Sequence, residues 1–272
     1  MKKIKQITII MFLIIAIKMP VFAQKSCHVP ILMYHHLSDN ANQWNSSTVS
    51  PAKFEEDMIA LKGAGYTTIL PEDIINHKDN SVALPPKPLM ITFDDGYSSN
   101  YELAFQTLKK HNMKAVIHVV TSSRGKTPGY IPHFSWEQAK EMEDSGLISI
   151  QSHTFDMHTG LGYGKLAEES RVNHKSRMIK DFMKSTQDIK KHIDKEVVMF
   201  AYPYGISDSY SDKTLEPYGA KITLTVKEGI ADINKGLHSL PRINVPSDLT
   251  SEDLVKKINS LKIKKRQLTT LK

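Results

Sequence analysis

Two adjacent carboxylates, Asp94 and Asp95, follow an apolar run and precede Gly96. The run, Leu89 to Phe93, is typical of a short buried strand. Soon after the glycine, apolar residues recur at helical spacing. A strand, an acidic turn and a helix form the layout in which catalytic residues lie at the carboxyl end of a parallel strand. A solvated Asp-Asp-Gly turn is the other interpretation of this stretch taken alone.

Two histidines, His153 and His158, lie five positions apart where a second strand-like stretch ends. Five residues turn an α-helix through about 500°, so a strand end and the loop after it fit the pair better than one helix face. Imidazole and carboxylate are common zinc ligands in catalytic sites, which keep one position open for water. One Asp and both His can therefore bind a metal ion, while the other Asp acts as a base on the attacking water. A lone histidine pair is more often structural, and the combination with the two carboxylates is what favours a metal site.

The elements around these motifs indicate the fold class. Strand patterns alternate with helix patterns, and 272 residues with 40% hydrophobic content suffice for one large domain with a core. This alternation favours an α/β barrel over two separate lobes, and we predict a single domain over residues 24–255. Ser135 and Gln138 predict a capping box, and a long amphipathic helix is expected from Leu166 to Ile193.

The first residues are predicted to be a secretory signal peptide. Three lysines within the first five residues precede an apolar segment from Ile7 to Ile17, and Ala23 ends a stretch suited to cleavage. The apolar segment is too short for a helix that spans a bilayer, which needs about 20 residues. We expect residues 1–23 to be removed near Ala23 and the protein to be exported to the periplasm or the cell exterior. Retention as an uncleaved membrane anchor is the minor alternative.

The formal net charge of +7 is unevenly distributed along the chain. Residues 1–23 carry four lysines, and residues 256–272 carry seven basic residues and no acidic one, which leaves about −4 for the body between them. The basicity therefore belongs to a C-terminal tail. Such a run is usually solvated, and weak attraction to an anionic envelope surface is the sharper hypothesis. An exported protein with an acidic body is not expected to bind nucleic acid.

Three sequence blocks together carry a family resemblance: Thr92-Phe93-Asp94-Asp95-Gly96, Ser152-His153-Thr154 through His158, and Tyr202-Pro203-Tyr204-Gly205. In order and approximate spacing they resemble the polysaccharide deacetylase family, which is carbohydrate esterase family four with its NodB-homology domain. The resemblance implies a deformed (β/α) barrel of about seven parallel strands that removes N-acetyl groups from N-acetylglucosamine polymers. It also implies specific roles: Asp94 as general base, Asp95, His153 and His158 as ligands of one divalent metal ion, with zinc favoured, and the backbone N–H of Tyr204 as oxyanion donor.

The chain departs from the family pattern in two places. Family members usually have an arginine before the Pro-Tyr-Gly block, where Ala201 stands here, and a tryptophan after the block, which is missing. Arg242 is our candidate for the arginine that orients Asp94. An ordinary salt bridge at a strand end is the other interpretation of Arg242.

Either of two histidines can be the general acid. His35 ends the first strand pattern and resembles the rearranged version of the family found in biofilm poly-β-1,6-N-acetylglucosamine deacetylases, where an N-terminal Tyr-His takes this role. His238 is the rival, because Leu237-His238 is loosely similar to the usual C-terminal Leu-x-His. We favour His35, since a buried strand would direct it to the barrel mouth, whereas Gly236 indicates a loop around His238.

The resemblance favours an acetylated amino-sugar polymer as substrate, with poly-N-acetylglucosamine ahead of peptidoglycan. A glycoside hydrolase would need Asp94 and a second carboxylate about 5–9 Å away, and it would leave His153 and His158 without a role. An inactive glycan-binding module would be expected to have a broken metal set, whereas here the set is whole.

Overall fold

The structure, a computed structural model, describes residues 27–270. Within this range, seven parallel strands form a closed barrel: β1 (Ile31–Tyr34), β2 (Pro88–Phe93), β3 (Ala115–Val119), β4 (Ile148–Ser152), β5 (Met199–Ala201), β6 (Ile222–Glu228) and β7 (Leu240–Asn244). Each strand pairs with the next one along the chain, and β7 pairs with β1 to close the barrel. The pairing register shifts between β6 and β7. The predicted α/β fold, a deformed (β/α) barrel of about seven parallel strands in one domain, is confirmed.

Helices surround the barrel: α1 (Pro51–Gly63), α2 (Pro71–Asn80), α3 (Phe105–His111), α4 (Trp136–Asp144), α5 (Arg171–Ile193), α6 (Ser211–Leu215) and α7 (Ser251–Thr270). A π-helical segment, Asn100–Ala104, leads into α3. No helix within residues 27–270 has the length and apolar character needed to cross a membrane. The predicted signal peptide lies outside the described residues.

Local side chains determine where the helices begin. Ser135 and Gln138 form the predicted capping box at the start of α4. The long helix α5 begins at Arg171, five residues later than predicted, because the Ser170 hydroxyl caps it by accepting a backbone N–H of its first turn. The preceding segment from Leu166 is instead a turn outside the helix.

Successive side chains of each barrel strand point alternately to an inner and an outer face, and both faces are buried. On β2, Met90 belongs to the apolar cluster that fills the barrel, and its neighbours Leu89 and Ile91 belong to the cluster under the helices. Because successive side chains of a strand point to opposite faces, Thr92 and Asp94 continue the inner face. The same alternation places four more polar side chains on the inner face: His35, His118, His153 and Arg242.

The last helix, α7, continues through residue 255, where the sequence predicts the boundary between domain and tail. Leu254 and Ile258 are fully buried, and α7 packs against α1. In the described part of the chain, the basic segment after residue 255 is therefore the continuation of a helix that packs on the barrel.

Candidate active site

Asp94, the first residue after β2, is held by an arginine of β7, the strand that pairs with β1 to close the barrel. Arg242 of β7 is fully buried and donates from Nη1 to Asp94 Oδ1 at 2.8 Å and from Nη2 to Oδ2 at 2.6 Å. Burial alone would raise the pKa of the Asp94 carboxyl, but the Arg242 guanidinium outweighs it and holds that pKa well below its usual range. Asp94 is thus a carboxylate at neutral pH in a fixed orientation, and Arg242 lies where the sequence analysis places the orienting arginine.

His118 also contacts Asp94, and the sequence analysis missed it. It is fully buried on the inner face of β3, with Nδ1 3.2 Å from Asp94 Oδ1. Burial lowers the pKa of His118, so its ring is neutral at pH 7. In the sequence, His118 is a single polar residue within an apolar strand pattern. It lies two positions after Val116, so the two side chains point to the same face of the strand.

Asp95, His153 and His158 come together as the sequence predicts, with ligand atoms all within 4.8 Å of one another. His158 Nε2 lies 3.0 Å and His153 Nε2 lies 3.5 Å from Asp95 Oδ1. Burial opposes the charged form of His158, but the nearby Asp95 carboxylate outweighs it and raises the pKa of His158. Two ring nitrogens and a carboxylate oxygen that converge on one point are a donor set that fits a divalent cation.

The backbone sets the tautomer of His153. Its Nδ1 lies 2.7 Å from the carbonyl oxygen of Ala201, which can only accept, so Nδ1 carries the hydrogen. Nε2 then keeps its lone pair on the side that faces Asp95. Burial lowers the pKa of His153 to about 4, which keeps the ring neutral at pH 7. A carbonyl behind a ligand histidine is a common support of metal sites, and Ala201 supplies it here.

A buried arginine fixes the turn that carries Asp95. Asp95 has φ +71° and Gly96 has φ +72°. Arg124 donates from Nη2 to the Asp95 carbonyl at 2.8 Å and from Nη1 to the Gly96 carbonyl at 2.7 Å. A Cβ on Gly96 would lie 2.5 Å from Arg124 Nη1, so the position requires glycine. Burial lowers the pKa of Arg124 to about 9, and the sequence analysis did not find this residue.

Helix α5 holds the loop that carries His158. Asp181 accepts the backbone N–H of Phe155 at 3.0 Å, that of Asp156 at 2.9 Å and the Tyr163 hydroxyl at 2.6 Å. One carboxylate therefore accepts three hydrogen bonds from the segment that runs from His153 to the start of α5. This anchoring limits where His158 can lie relative to His153.

We expect Asp181→Asn to weaken zinc binding by about 10–100-fold, the usual effect of losing a supporting partner. An amide offers one acceptor oxygen and turns an NH₂ group toward a donor, so one loop contact is lost. Calorimetric titration of metal-depleted protein with Zn²⁺ measures the affinity. Asp194→Asn, at the exposed carboxyl end of α5, is the matched control and should change the affinity less than about twofold. Native zinc affinity in Asp181→Asn would contradict the positioning role.

Tyr204 borders the metal set. It lies in the turn after β5 with φ +56°, and its ring centroid is 4.9 Å from that of His158. A Cβ on the next residue, Gly205, would lie 2.6 Å from Val226 Cγ2, which explains the glycine of this block. The oxyanion role of the Tyr204 N–H stays a prediction.

His35 and His238 lie at opposite ends of the barrel. His35 follows β1, with Nε2 3.9 Å from Asp94 Oδ2, and its Nδ1 is buried without a hydrogen-bond partner. His238 precedes β7, and the neighbouring Leu237 carbonyl accepts the N–H of Thr223 near the start of β6. His238 is thus at the amino ends of the strands, away from Asp94. The geometry favours His35, whose role as general acid stays a prediction.

Two joined cavities lie over the site. The catalytic chamber has a volume of about 840 Å³, and Asp94, His35 and Tyr204 are among its lining residues. The second chamber has a volume of about 600 Å³ and lies between segments 43–48 and 128–133. The chambers form one cleft, because Tyr97 and His158 line both.

Comparison with known proteins identifies the family of the chain. The sequence pattern of the polysaccharide deacetylase family matches residues 81–223. The chain is 30% identical over 239 residues to the putative polysaccharide deacetylase YxkH of Bacillus subtilis, covering 88% of this chain and 79% of that protein. It is 26% identical over 230 residues to the poly-beta-1,6-N-acetyl-D-glucosamine N-deacetylase of Staphylococcus epidermidis, covering 84% and 78%.

A solved structure has the same fold. The deacetylase PplD of Streptococcus pyogenes, determined in complex with acetate, superposes with a TM-score of 0.74 at 26% identity, covering 86% of this chain and 99% of that one. The chain belongs to the polysaccharide deacetylase family, as its sequence blocks predict. It is a hydrolytic N-deacetylase.

Proposed function

We propose that the protein is a metal-dependent N-deacetylase of an exported N-acetylglucosamine polymer, with poly-β-1,6-N-acetylglucosamine as the favoured substrate. The observation that carries this proposal is the ionised Asp94, held by Arg242, directly beside the ligand set of Asp95, His153 and His158. The name of the Staphylococcus epidermidis relative supports the choice of polymer.

Each residue of the site has a task in amide hydrolysis. A divalent ion held by Asp95, His153 and His158, whose atoms suit zinc, would supply Lewis-acid polarisation of the acetamide and of a water molecule. Asp94 accepts the proton of the water as it attacks the carbonyl carbon. The N–H of Tyr204 stabilises the negative charge that develops on the carbonyl oxygen. His35 donates a proton to the departing nitrogen, because an amine anion is a very poor leaving group.

The other functions fit the site less well. A glycoside hydrolase would need two separated carboxylates, but among the described residues Asp94 and Asp95 are the only ones that line the catalytic chamber, and Asp95 faces two histidines. An inactive glycan-binding module would not need an intact ligand set. Peptidoglycan carries carboxylates on its peptides, and a basic side chain would be their natural partner. No Lys or Arg of the described chain lines the chamber, so the chamber offers these carboxylates no such partner.

Export and envelope contact belong to the same proposal. The predicted signal peptide supports an encounter with the polymer outside the cytoplasm, and an N-terminus at Gln24 in the secreted protein would be the expected result of cleavage. Within the described part of α7, Lys256, Lys264 and Lys265 belong to the basic run that would contact an anionic envelope surface weakly. Binding to anionic vesicles that is unaffected by Lys256→Gln together with Lys264→Gln would contradict that contact.

Removal of the metal is expected to abolish acetate release. Without the ion, the acetamide carbonyl is not polarised, and Asp94 has no activated water to deprotonate. Acetate release from defined N-acetylglucosamine oligomers should stop after chelation and return when Zn²⁺ is added back. Full activity in metal-free protein would refute metal dependence, whereas no release from any acetylated glycan by the metal-loaded protein would refute the proposed reaction.

A further inference from the structure

The second chamber continues the cleft past the metal set. It shares Asp95, Tyr97 and His158 with the catalytic chamber and extends from there to Gln43 and Asp156. A glycan chain that places one sugar over Asp94 has a continuous path into this space. The second chamber is therefore in position to hold the sugar next to the one that reacts.

The described lining of the cleft has carboxylates but no basic side chain. The sequence has 36 Lys and Arg, yet none of those in the described chain lines either chamber. In the second chamber the carboxylates are Asp95, which faces the metal set, and Asp156, which is exposed. Burial lowers the pKa of His133, another lining residue, to about 4, so its ring adds no positive charge at pH 7. An anionic sugar finds no partner here, whereas a cationic sugar does.

Asp156 of the second chamber has capacity for a ligand. Asp156 Oδ1 accepts the Ser122 hydroxyl at 2.9 Å, which orients the carboxylate and leaves Oδ2 available to a further donor.

The reaction itself produces a cationic sugar. Hydrolysis of N-acetylglucosamine leaves glucosamine, whose primary amine is protonated at neutral pH. We propose that the second chamber binds the neighbouring sugar of the chain and that Asp156 pairs with the ammonium group of a glucosamine there. This inference rests on the proposed function and deepens it, because it makes the partially deacetylated polymer the preferred substrate. Each product sugar then favours reaction at the residue beside it.

Equilibrium binding tests the subsite without turnover. We expect metal-loaded Asp94→Asn protein, which lacks the general base and hydrolyses the ligand far more slowly, to bind a β-1,6-linked N-acetylglucosamine tetramer with one free amine about fivefold tighter than the fully N-acetylated tetramer in calorimetry, as one exposed ion pair of about 1 kcal/mol provides. In this background Asp156→Asn should remove the preference, and Asp156→Lys should reverse it. High salt should reduce the preference, because the pair is exposed. Asp39→Asn, an exposed substitution of equal charge that lines neither chamber, should leave it unchanged.

A kinetic comparison gives the second readout. The ratio of kcat/KM for a hexamer with one free amine to that for the fully acetylated hexamer should exceed one in the wild type and fall to about one in Asp156→Asn. Metal content and thermal unfolding identify any variant that has not folded. If Asp156→Asn has not folded, the ratio measured for Asp156→Lys decides whether the subsite exists. Preference for the free amine that survives in both Asp156 variants, or that Asp39→Asn removes equally, overturns the subsite. Failure of the wild type to release acetate from either hexamer refutes the proposed reaction instead, while the binding result still decides the subsite.

Discussion

Asp94→Asn is expected to keep the metal and lose about 10²–10⁴-fold in turnover, the usual contribution of a positioned general base. Asp95→Asn is expected to lose the metal itself. The two carboxylates are neighbours in sequence, but Asp94 is paired with Arg242, whereas Asp95 Oδ1 faces the two histidine nitrogens. An amide at position 94 cannot accept a proton from water, whereas an amide at position 95 removes the only anionic ligand of the set.

Metal analysis and acetate release from the same protein samples separate these outcomes. Zinc content after dialysis should be close to wild type in Asp94→Asn and far lower in Asp95→Asn. Equal metal loss in the two variants would show that their roles are merged, and the opposite pattern would show that they are exchanged. Near-normal turnover in Asp94→Asn would remove it as the base.

Stability provides an independent check on Asp94. Its folded-state pKa lies well below the ordinary carboxyl value, so its contribution to stability is present above that ordinary value and is lost as pH falls toward the lowered pKa. In Asp94→Asn the buried Arg242 charge has no anionic partner, which for a broken buried pair costs about 3–5 kcal/mol. Urea unfolding should therefore show a less stable variant at pH 7 and a smaller loss of stability on acidification than in the wild type.

Much of the site could be predicted because its residues belong to short blocks or alternate along strands. Asp94 and Asp95 follow an apolar strand directly, and His153 and His158 fall within one block with fixed spacing. Arg242 lies 148 positions from Asp94. It became the candidate because the arginine that the family usually has before the Pro-Tyr-Gly block is replaced by Ala201 here. The barrel followed from the same alternation of strands and helices.

The residues that the sequence did not predict contact backbone groups, or they contact side chains that come close only in the folded barrel. Arg124 contacts the carbonyls of Asp95 and Gly96, and carbonyls carry no residue-specific signal in a sequence. Asp181 holds backbone N–H groups from a helix that follows the His158 loop, so only the packing of α5 reveals it. His118 was visible as a polar residue in step with Val116, but its partner Asp94 became evident only once β2 and β3 paired in register.

The general acid is where the chain departs most from the common family pattern. His35→Ala is expected to lower turnover on N-acetylated glycans by about 10²–10⁴-fold with little loss of metal, because the departing nitrogen then has no proton donor. His35 lines the catalytic chamber with Nε2 3.9 Å from Asp94 Oδ2 and is not one of the three ligand residues. His238→Ala is the matched control and should cost much less, since His238 lies at the amino ends of the barrel strands.

A substrate with a good leaving group separates proton donation from a general loss of structure. An activated aryl acetate ester releases a phenolate that needs no proton, so His35→Ala should hydrolyse it at nearly the wild-type rate while the amide reaction is lost. Asp94→Asn should fail on both substrates, because each reaction needs an attacking water that has been deprotonated. Parallel loss of ester and amide activity in His35→Ala would mean that His35 supports the site and does not protonate the amine. A larger amide defect in His238→Ala than in His35→Ala would transfer the assignment to His238, against the placement of the two residues at opposite ends of the barrel.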